Sequence, residues 1–190
     1  MQPIKHKAVN WIDGMKISKE HLVQQESFFT DSLRDATALQ LTRLNYGLLS
    51  PTMEGGRSLN VKITVDPSKV IRVHVLECHA VTSAGERIEI TGDNAVKINN
   101  DADKLTADFD FNETKEKTFY VVLSVNLFAR NPVGKPDANE IPPRYPFASP
   151  QYIVEVLPES QISNSTNAIL IIGKLQVERW RRSQRKPTIK

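Results

Sequence analysis

Seven short segments of this chain are rich in apolar residues, and most of them alternate apolar and polar side chains with a period of two. That period puts successive side chains on opposite faces of a β-strand. Turn signals separate the segments and no helical pattern lies between them, which favours antiparallel pairing. The sequence therefore predicts a mainly β fold, an antiparallel sandwich or barrel, over residues 51–178. The predicted strands are 59–65, 70–81, 87–90, a short one around Val96 and Ile98, 119–128, 151–157 and 168–178.

Residues 1–50 follow a different period. From Lys19 to about residue 46 the apolar residues recur every 3.6 positions, and Ser18 is a suitable N-cap, so we predict one long helix. Gly47 and Pro51 supply the signals that end it. The apolar stripe consists of Leu22, Phe29, Leu33, Ala36 and Leu44, widened by Leu39, Leu41 and Leu48. A stripe of this length is usually covered by a sheet or by another chain's helix, and we expect this helix to pack on the sandwich.

The segment 129–150 contains six prolines in 22 residues. Proline removes a backbone donor and fixes φ, so this composition predicts an extended excursion without a regular element. Long loops of this kind either bind something or are partly disordered. Tyr145 and Phe147 offer apolar anchors within the loop, which favours binding slightly.

The net charge of +3 reflects the C-terminal end of the chain. Residues 179–190 hold six basic and no acidic residues, so residues 1–178 hold 19 basic against 22 acidic residues, a net charge of −3. Such a tail is most often a solvated end. Binding to nucleic acid or to an acidic partner is the alternative, and no aromatic platform or DNA-reading motif accompanies it.

The sequence gives no reason to expect an enzyme, a cofactor or a metal site. On a regular strand His74 and Cys78 would share one face and His79 the other, which is too few ligands for structural zinc. No phosphate-binding glycine loop and no marked pair of carboxylates is present. One cysteine, no secretion signal and no apolar run of about 20 residues are compatible with a cytoplasmic protein.

The stretch "VNWIDGMKISKEHLVQQESFF" (9–29) holds more specific side chains than a helix start requires. The surplus residues are Trp11, Gly14, Met15, His21, Gln24 and Gln25. One interpretation is a surface that grips another protein, since aromatic and Met side chains are favoured in interface cores. The alternative is local: Trp11 fixes the chain end to the sandwich, and His21 with the two glutamines hydrogen-bonds the incoming backbone.

This stretch resembles the N-terminal signature of the TssK family, the baseplate subunits of bacterial type VI secretion systems. The matching positions are Trp11, Asp13, Gly14, Met15, His21, Gln24 and Gln25. The likeness continues through "NYGLLS", the strand-turn-strand-hairpin order of 59–90, and the apolar strands "FYVVLSVNL" and "AILIIGKLQV". Departures occur at Lys19 and Leu22, where the family has Pro and Phe, and at Gly85-Glu86, where many relatives have Asp-Gly.

The resemblance implies a β-sandwich preceded by one long helix, similar to the shoulder of siphophage receptor-binding proteins. It implies a homotrimer that docks on the TssF/TssG wedge at the cytoplasmic side of the inner membrane. A chain of this length would be an N-terminal fragment or a short form, with 179–190 as a tail or the start of a neck. The alternative function is a carbohydrate- or receptor-binding sandwich of phage-tail type, although the aromatic content of only 7% weighs against sugar stacking.

Overall fold

The computed structural model describes residues 2–51, 56–68, 70–91, 105–110, 116–162, 169–177 and 187–189. Two helices and nine strands occur in this part of the chain. The helices are α1 (Lys19–Gln40) and α2 (Glu159–Ile162). The strands are β1 (Gly47–Leu48), β2 (Leu59–Val65), β3 (Val70–Val81), β4 (Arg87–Ile90), β5 (Thr106–Asp110), β6 (Thr118–Val133), β7 (Phe147–Pro158), β8 (Ile169–Val177) and β9 (Pro187–Ile189). None of the helices described is long and apolar enough to cross a membrane.

The strands form two antiparallel sheets. In the first sheet β3 is central and pairs with β1, β2, β4 and β5. The second sheet has the order β7-β6-β8-β9. The prediction of an antiparallel β-sandwich preceded by one long helix is confirmed. The predicted strand around Val96 and Ile98 lies outside the described residues.

The core lies between the two sheets. A cluster of buried side chains from both sheets fills it, and the rings of Phe109 and Phe119 lie 4.5 Å apart. Tyr152 is buried among them, and its hydroxyl donates to the backbone oxygen of Glu89 across the sheets at 3.3 Å. The buried members of the cluster are Ile71, Val73, Val75, Cys78, Ala80, Ile88, Ile90, Leu105, Phe119, Val121, Leu123, Val125, Tyr152, Val154, Leu170 and Leu175.

A β-bulge at Leu76 corrects the prediction for the His74 and Cys78 pair. The pairing register of β2 and β3 shifts there, because Val61 pairs with Val75 while the preceding Asn60 pairs with Glu77. The extra residue switches which positions of β3 face the core. The inward side chains are Val75 before the bulge and Cys78 after it, so His74 and Cys78 do not share a face as predicted.

The prediction that 129–150 contains no regular element is wrong at both ends of the segment. Strand β6 runs on to Val133 and β7 begins at Phe147, with Pro132 paired opposite Ala148. The register between the two strands is irregular from Asn126 to Asn131. Strand β7 is the edge of its sheet, a position that tolerates prolines because one side of the strand needs no ladder hydrogen bonds.

Helix α1 ends at Gln40, six residues before the predicted end. The next residue, Leu41, is extended with ψ 142°. The side-chain amide of Asn45 folds back and donates to the carbonyl of Gln40 at 3.1 Å, which satisfies one of the orphan carbonyls of the last turn. At the other end Ser18 is the N-cap, as predicted.

Candidate protein-protein interface

The residues singled out near the N-terminus surround a segment that we call the N-terminal strap, residues 2–9. It lies against α1 and is held first by Asp31, whose carboxylate accepts hydrogen bonds from the backbone N–H groups of Lys5 and His6. The guanidinium of Arg34 donates to the same carboxylate at 3.0 Å and to the carbonyls of Gln2 and Pro3, each at 3.3 Å. Both side chains are nearly fully buried, so the strap is tied to α1 through a buried ion pair.

The electrostatics of Asp31 follow from this geometry. Burial raises the pKa of its carboxyl, but the N–H groups of His6 and Lys5 and the guanidinium of Arg34 together outweigh burial. The pKa therefore lies below its ordinary value, and the carboxylate is charged at neutral pH. The ring of His6 also packs on Phe128 of β6 at 4.2 Å, which joins the strap to the second sheet.

Gln24 and Gln25 hold the next part of the strap. The amide of Gln24 donates to the carbonyl of Lys7 at 2.9 Å, and the amide oxygen of Gln25 accepts from the backbone N–H of Val9 at 3.2 Å. Both glutamines therefore fix the incoming backbone to the first two turns of α1.

His21 occupies the third position of α1 and completes its N-terminal cap. The backbone N–H of Ser18 donates to Nδ1 of His21 at 3.1 Å, as a Glu or Gln side chain does in a capping box. Since Nδ1 accepts this bond, the neutral imidazole carries its proton on Nε2. The ring of Trp11 lies 6.2 Å from the ring of His21, and 47% of Trp11 is exposed.

A tight turn between Trp11 and α1 explains the Gly-Met pair. The backbone N–H of Met15 donates to the carbonyl of Ile12 at 3.2 Å, and Gly14 has φ +76°. An L side chain rarely adopts this conformation, so Gly14 serves the turn. Met15 is half-buried beside it.

A groove of about 640 Å³ lies between the first turns of α1 and the Pro-rich segment. Tyr145 and Phe147, the two anchors predicted from the sequence, line it together with Gln24. Phe147 is 69% exposed. The other lining residues are Lys19, Glu20, Val23, Arg130, Pro132, Arg144, Pro146 and Ala148. The groove does not include Trp11, Gly14, Met15, His21 or Gln25, so the predicted candidates form two neighbouring surfaces.

Two solvent-exposed ion pairs involve residues that line the groove. Arg130 pairs with Glu26 of α1 at 2.7 Å, which links β6 to the helix. Arg144 pairs with Glu140 through two hydrogen bonds of 2.7 and 2.9 Å. Gly134 has φ +102° and lies so close to Pro146 that a Cβ there would be 2.9 Å from the proline ring. The irregular part of the loop is thus folded back on itself.

Reactive groups are sparse. Among the described residues, no group of three or more His, Cys, Asp or Glu side chains could hold a metal ion. Burial raises the pKa of the Cys78 thiol to about 11, so this cysteine is a protonated core residue. Burial also raises the pKa of Glu86, despite a hydrogen bond of 3.2 Å from the Thr82 hydroxyl.

Sequence reasoning missed Asp31, Arg34 and Glu86, the three buried charged residues of this region. Asp31 and Arg34 are three residues apart on α1, a spacing that allows an ion pair, but the same spacing also occurs on solvated helix faces. Nothing in the sequence marks this pair as buried.

No family model matches the sequence, and no curated protein matches it. Two solved structures are similar to it. One is a crystal structure of TssK, with a TM-score of 0.50 and 14% sequence identity over 96% of this chain. The other is a baseplate complex from the type VI secretion system, with a TM-score of 0.47 and 14% identity over 97% of this chain. The alignments span 40% and 58% of those chains, so this chain is less than half the length of the TssK chain.

Proposed function

We propose that this protein is a structural adaptor subunit of a type VI secretion baseplate, as its sequence resemblance to the TssK family implies. The observation that carries the proposal is the likeness of its fold to TssK over 96% of the chain. Independent support comes from the motif around Trp11, Gly14 and Met15, because these positions match the family signature in the sequence. On this proposal the chain assembles as a homotrimer and docks on the TssF/TssG wedge at the cytoplasmic side of the inner membrane.

The two surfaces described above suit docking because they are already ordered. The strap and the capping box hold Trp11 beside α1 with about half of its surface exposed, and Met15 follows in the same turn. Large side chains that are fixed before binding lose little conformational entropy on binding, so they contribute more affinity. We assign Trp11 and Met15 to one docking surface, and Tyr145 and Phe147 to the other. In this scheme His21, Gln24 and Gln25 position the first surface.

The proposal includes no catalytic or metal chemistry. In the described part of the chain the Cys78 thiol is buried and protonated, and His74 lies on the opposite face of β3. Stoichiometric zinc in metal analysis of the purified protein, bound through His74 and Cys78, would contradict this part of the proposal.

A receptor-binding function of phage-tail type is the second candidate. Tyr145 and Phe147 favour it, because they line one groove with the polar side chains of Gln24 and Arg130, the combination that sugar sites use. Line broadening of the Tyr145 and Phe147 resonances by a glycan, with no wedge binding, would favour this function over the adaptor.

The test is co-purification of the full chain with TssF and TssG encoded in the same genome. We expect a stable complex with the wild-type chain and a weaker one with Phe147→Ala. Ile141→Ala is the matched control, because Ile141 is 98% exposed in the same loop but does not line the groove. Failure of the wild-type chain to bind either wedge protein would refute the proposed function.

A further inference from the structure

Helix α1 turns a polar face towards the rest of the chain and its apolar stripe outward. Asp31 and Arg34 are 1% and 4% exposed, whereas Leu22, Phe29 and Leu33 are each more than half exposed. At about 100° per residue these two sets lie on opposite sides of the helix. The stripe that we expected to be covered is therefore left open by the described part of this chain, and a buried polar layer lies inside the helix.

Glu86 in the β3–β4 turn belongs to this polar layer. The turn lies against α1, since a Cβ on Gly85 would be 2.8 Å from the backbone nitrogen of Ala38. Glu86 is 8% exposed. In the described part of the chain its carboxylate accepts one hydrogen bond, from the Thr82 hydroxyl at 3.2 Å, and no Lys, Arg or His nitrogen lies within 4.0 Å of it. Glu86 is thus a buried carboxylate without an ion pair among the described residues.

Two cations near Glu86 do not neutralise it. Arg34 and Lys5 face it from α1 and the strap and favour its charged form, but burial has the larger effect and raises the pKa of Glu86. The hydrogen bonds of Arg34 go to Asp31 and to strap carbonyls, and its Nη1 is buried without a partner among the described residues. Lys5 is exposed. A buried, unpaired charge costs stability, and such groups concentrate at functional sites.

Glu86 lines a cavity of about 310 Å³ between the strap, the β3–β4 turn and the second sheet. This volume is within the range of small-ligand sites, roughly 300–1,000 Å³. Leu127, Phe128 and Ile153 give the cavity apolar walls. Of the described residues that line it, only Glu86 and Lys5 are charged, so the buried charge of the cavity is negative. The other lining residues are Gln2, Ser124, Val125 and Asn126.

The chemistry of these walls selects the kind of ligand. A buried carboxylate repels anions, and one carboxylate is too few for a calcium or magnesium ion. A guanidinium group is more weakly hydrated than an ammonium group and can donate two parallel N–H bonds to a carboxylate. Its plane also stacks on aromatic rings, and the ring of Phe128 lines the same cavity. An aliphatic stem would lie along Leu127 and Ile153.

We propose that this cavity binds a guanidinium group, with the Glu86 carboxylate as its acceptor. The group is carried by an arginine side chain of a partner protein or by a free alkylguanidine, and both present the same chemistry. Binding supplies the cation that Glu86 lacks in the described part of the chain. The cavity shares no lining residue with the groove around Tyr145 and Phe147, and Trp11 does not line it, so the proposal is independent of the adaptor function.

The test is an NMR titration of the full chain with N-acetyl-arginine amide, which carries a guanidinium group and no other charge. We expect saturable shifts of the backbone amides of Glu86 and of residues 124–128. N-acetyl-citrulline amide has nearly the same shape without the charge and should bind at least tenfold more weakly, because a hydrogen bond to a charged group contributes at least that factor. Butylguanidinium separates the two sources. Equal affinity indicates a free guanidine, and weaker binding than N-acetyl-arginine amide indicates a partner's side chain whose backbone is also contacted.

Glu86→Gln removes the charge and keeps the shape of the side chain. Since burial of the charge is then avoided, the variant should fold, and its affinity for N-acetyl-arginine amide should fall at least tenfold. Glu89→Gln is the matched control, because the Glu89 side chain is 41% exposed, pairs with Arg87 and does not line the cavity. It should bind like the wild-type chain. Absence of saturable shifts in the wild-type chain, equal binding of the citrulline derivative, or unchanged affinity in Glu86→Gln would each overturn the proposal.

Discussion

Replacing Asp31 with Asn tests how the strap is held. The side chains of Asp31 and Arg34 are 1% and 2% exposed, and the carboxylate also accepts the N–H groups of Lys5 and His6. The substitution leaves the buried guanidinium without its counter-charge and gives the two N–H groups a neutral acceptor. Breaking a buried ion pair by removing one partner typically costs about 3–5 kcal/mol. We expect the free energy of unfolding to fall by about that amount.

The measurement is equilibrium unfolding in urea, with the thermal midpoint as a second readout. At about 2–4 °C per kcal/mol for a chain of this size, the midpoint should fall by roughly 6–20 °C. Asp35→Asn is the matched control, because Asp35 lies on the same helix and is only partly buried; it should change stability by less than about 0.5 kcal/mol. Equal stability of Asp31→Asn and Asp35→Asn would refute the argument.

The buried carboxylate of Asp31 also makes the stability of the fold depend on pH. The pKa of Asp31 is lowered from its ordinary value of 3.8, so its charged form stabilises the folded state. That contribution is fully present above the unfolded pKa, about 3.8, and is lost as the pH falls through the lower folded pKa. The stability difference between the wild-type chain and Asp31→Asn should therefore be constant near neutral pH and shrink below about pH 3.8. A difference that persists unchanged at pH 2 would contradict the assignment.

Three further predictions concern the hairpin turn and the core. Gly85→Ala should lower the free energy of unfolding in urea by about 2 kcal/mol or more, because Gly85 has φ +85° and the new Cβ would collide with the Arg34 carbonyl. Gly14→Ala is the control, because Gly14 has φ +76° but open space around it, and this variant should cost only about 1 kcal/mol. Glu86→Gln should raise the thermal midpoint at pH 7, because burial raises the pKa of Glu86 and its charged form therefore destabilises the folded state. This gain should shrink as the pH falls towards 4.5, the ordinary pKa of a glutamate, and a gain that is larger at pH 4.5 than at pH 7 would contradict the argument. Cys78 should react with a thiol reagent at pH 8 only after the chain is unfolded in urea, because the thiol is fully buried and its pKa is about 11. Rapid reaction of the folded chain would contradict the position of Cys78 in the core.

The sandwich could be predicted from the sequence because its pattern is local. Alternation along 59–65 and 70–81 and the turn before Arg87 reflect which side chains face the core, and antiparallel pairing followed from the missing helices. The N-cap at Ser18 was predictable for the same reason, since a cap is set by neighbouring residues.

The features that could not be predicted depend on tertiary contacts, except the end of α1, which depends on a local contact. The bulge at Leu76 is visible only in the pairing with β2, and it reverses which of the later residues of β3 face inward. The end of α1 depends on Asn45 folding back to Gln40, which competes with the Gly47 signal. The largest difference is the orientation of α1, because the buried pair of Asp31 and Arg34 outweighs the apolar stripe within this chain.

The prediction for the C-terminal end of the chain also uses only the residues of that segment. Composition predicts a basic tail over residues 179–190, and the family resemblance implies the start of a neck there. The structure pairs residues 187–189 with β8 as strand β9, with Thr188 opposite Gln176. Strand pairing between distant segments leaves no signal in a segment of 12 residues that holds six basic ones, so this contact could not be predicted.

The affinity of the Trp11→Ala variant for the TssF/TssG wedge, measured together with its thermal midpoint, tests the proposed adaptor function most directly. Trp11 is 47% exposed and contacts His21, so its loss should lower the midpoint by only a few degrees, a change of roughly 1 kcal/mol. If it anchors the docking surface, the wedge affinity should fall by about thirtyfold, which corresponds to about 2 kcal/mol. Unchanged wedge affinity beside a large loss of stability would contradict the account and leave the Trp11 motif with a purely architectural function.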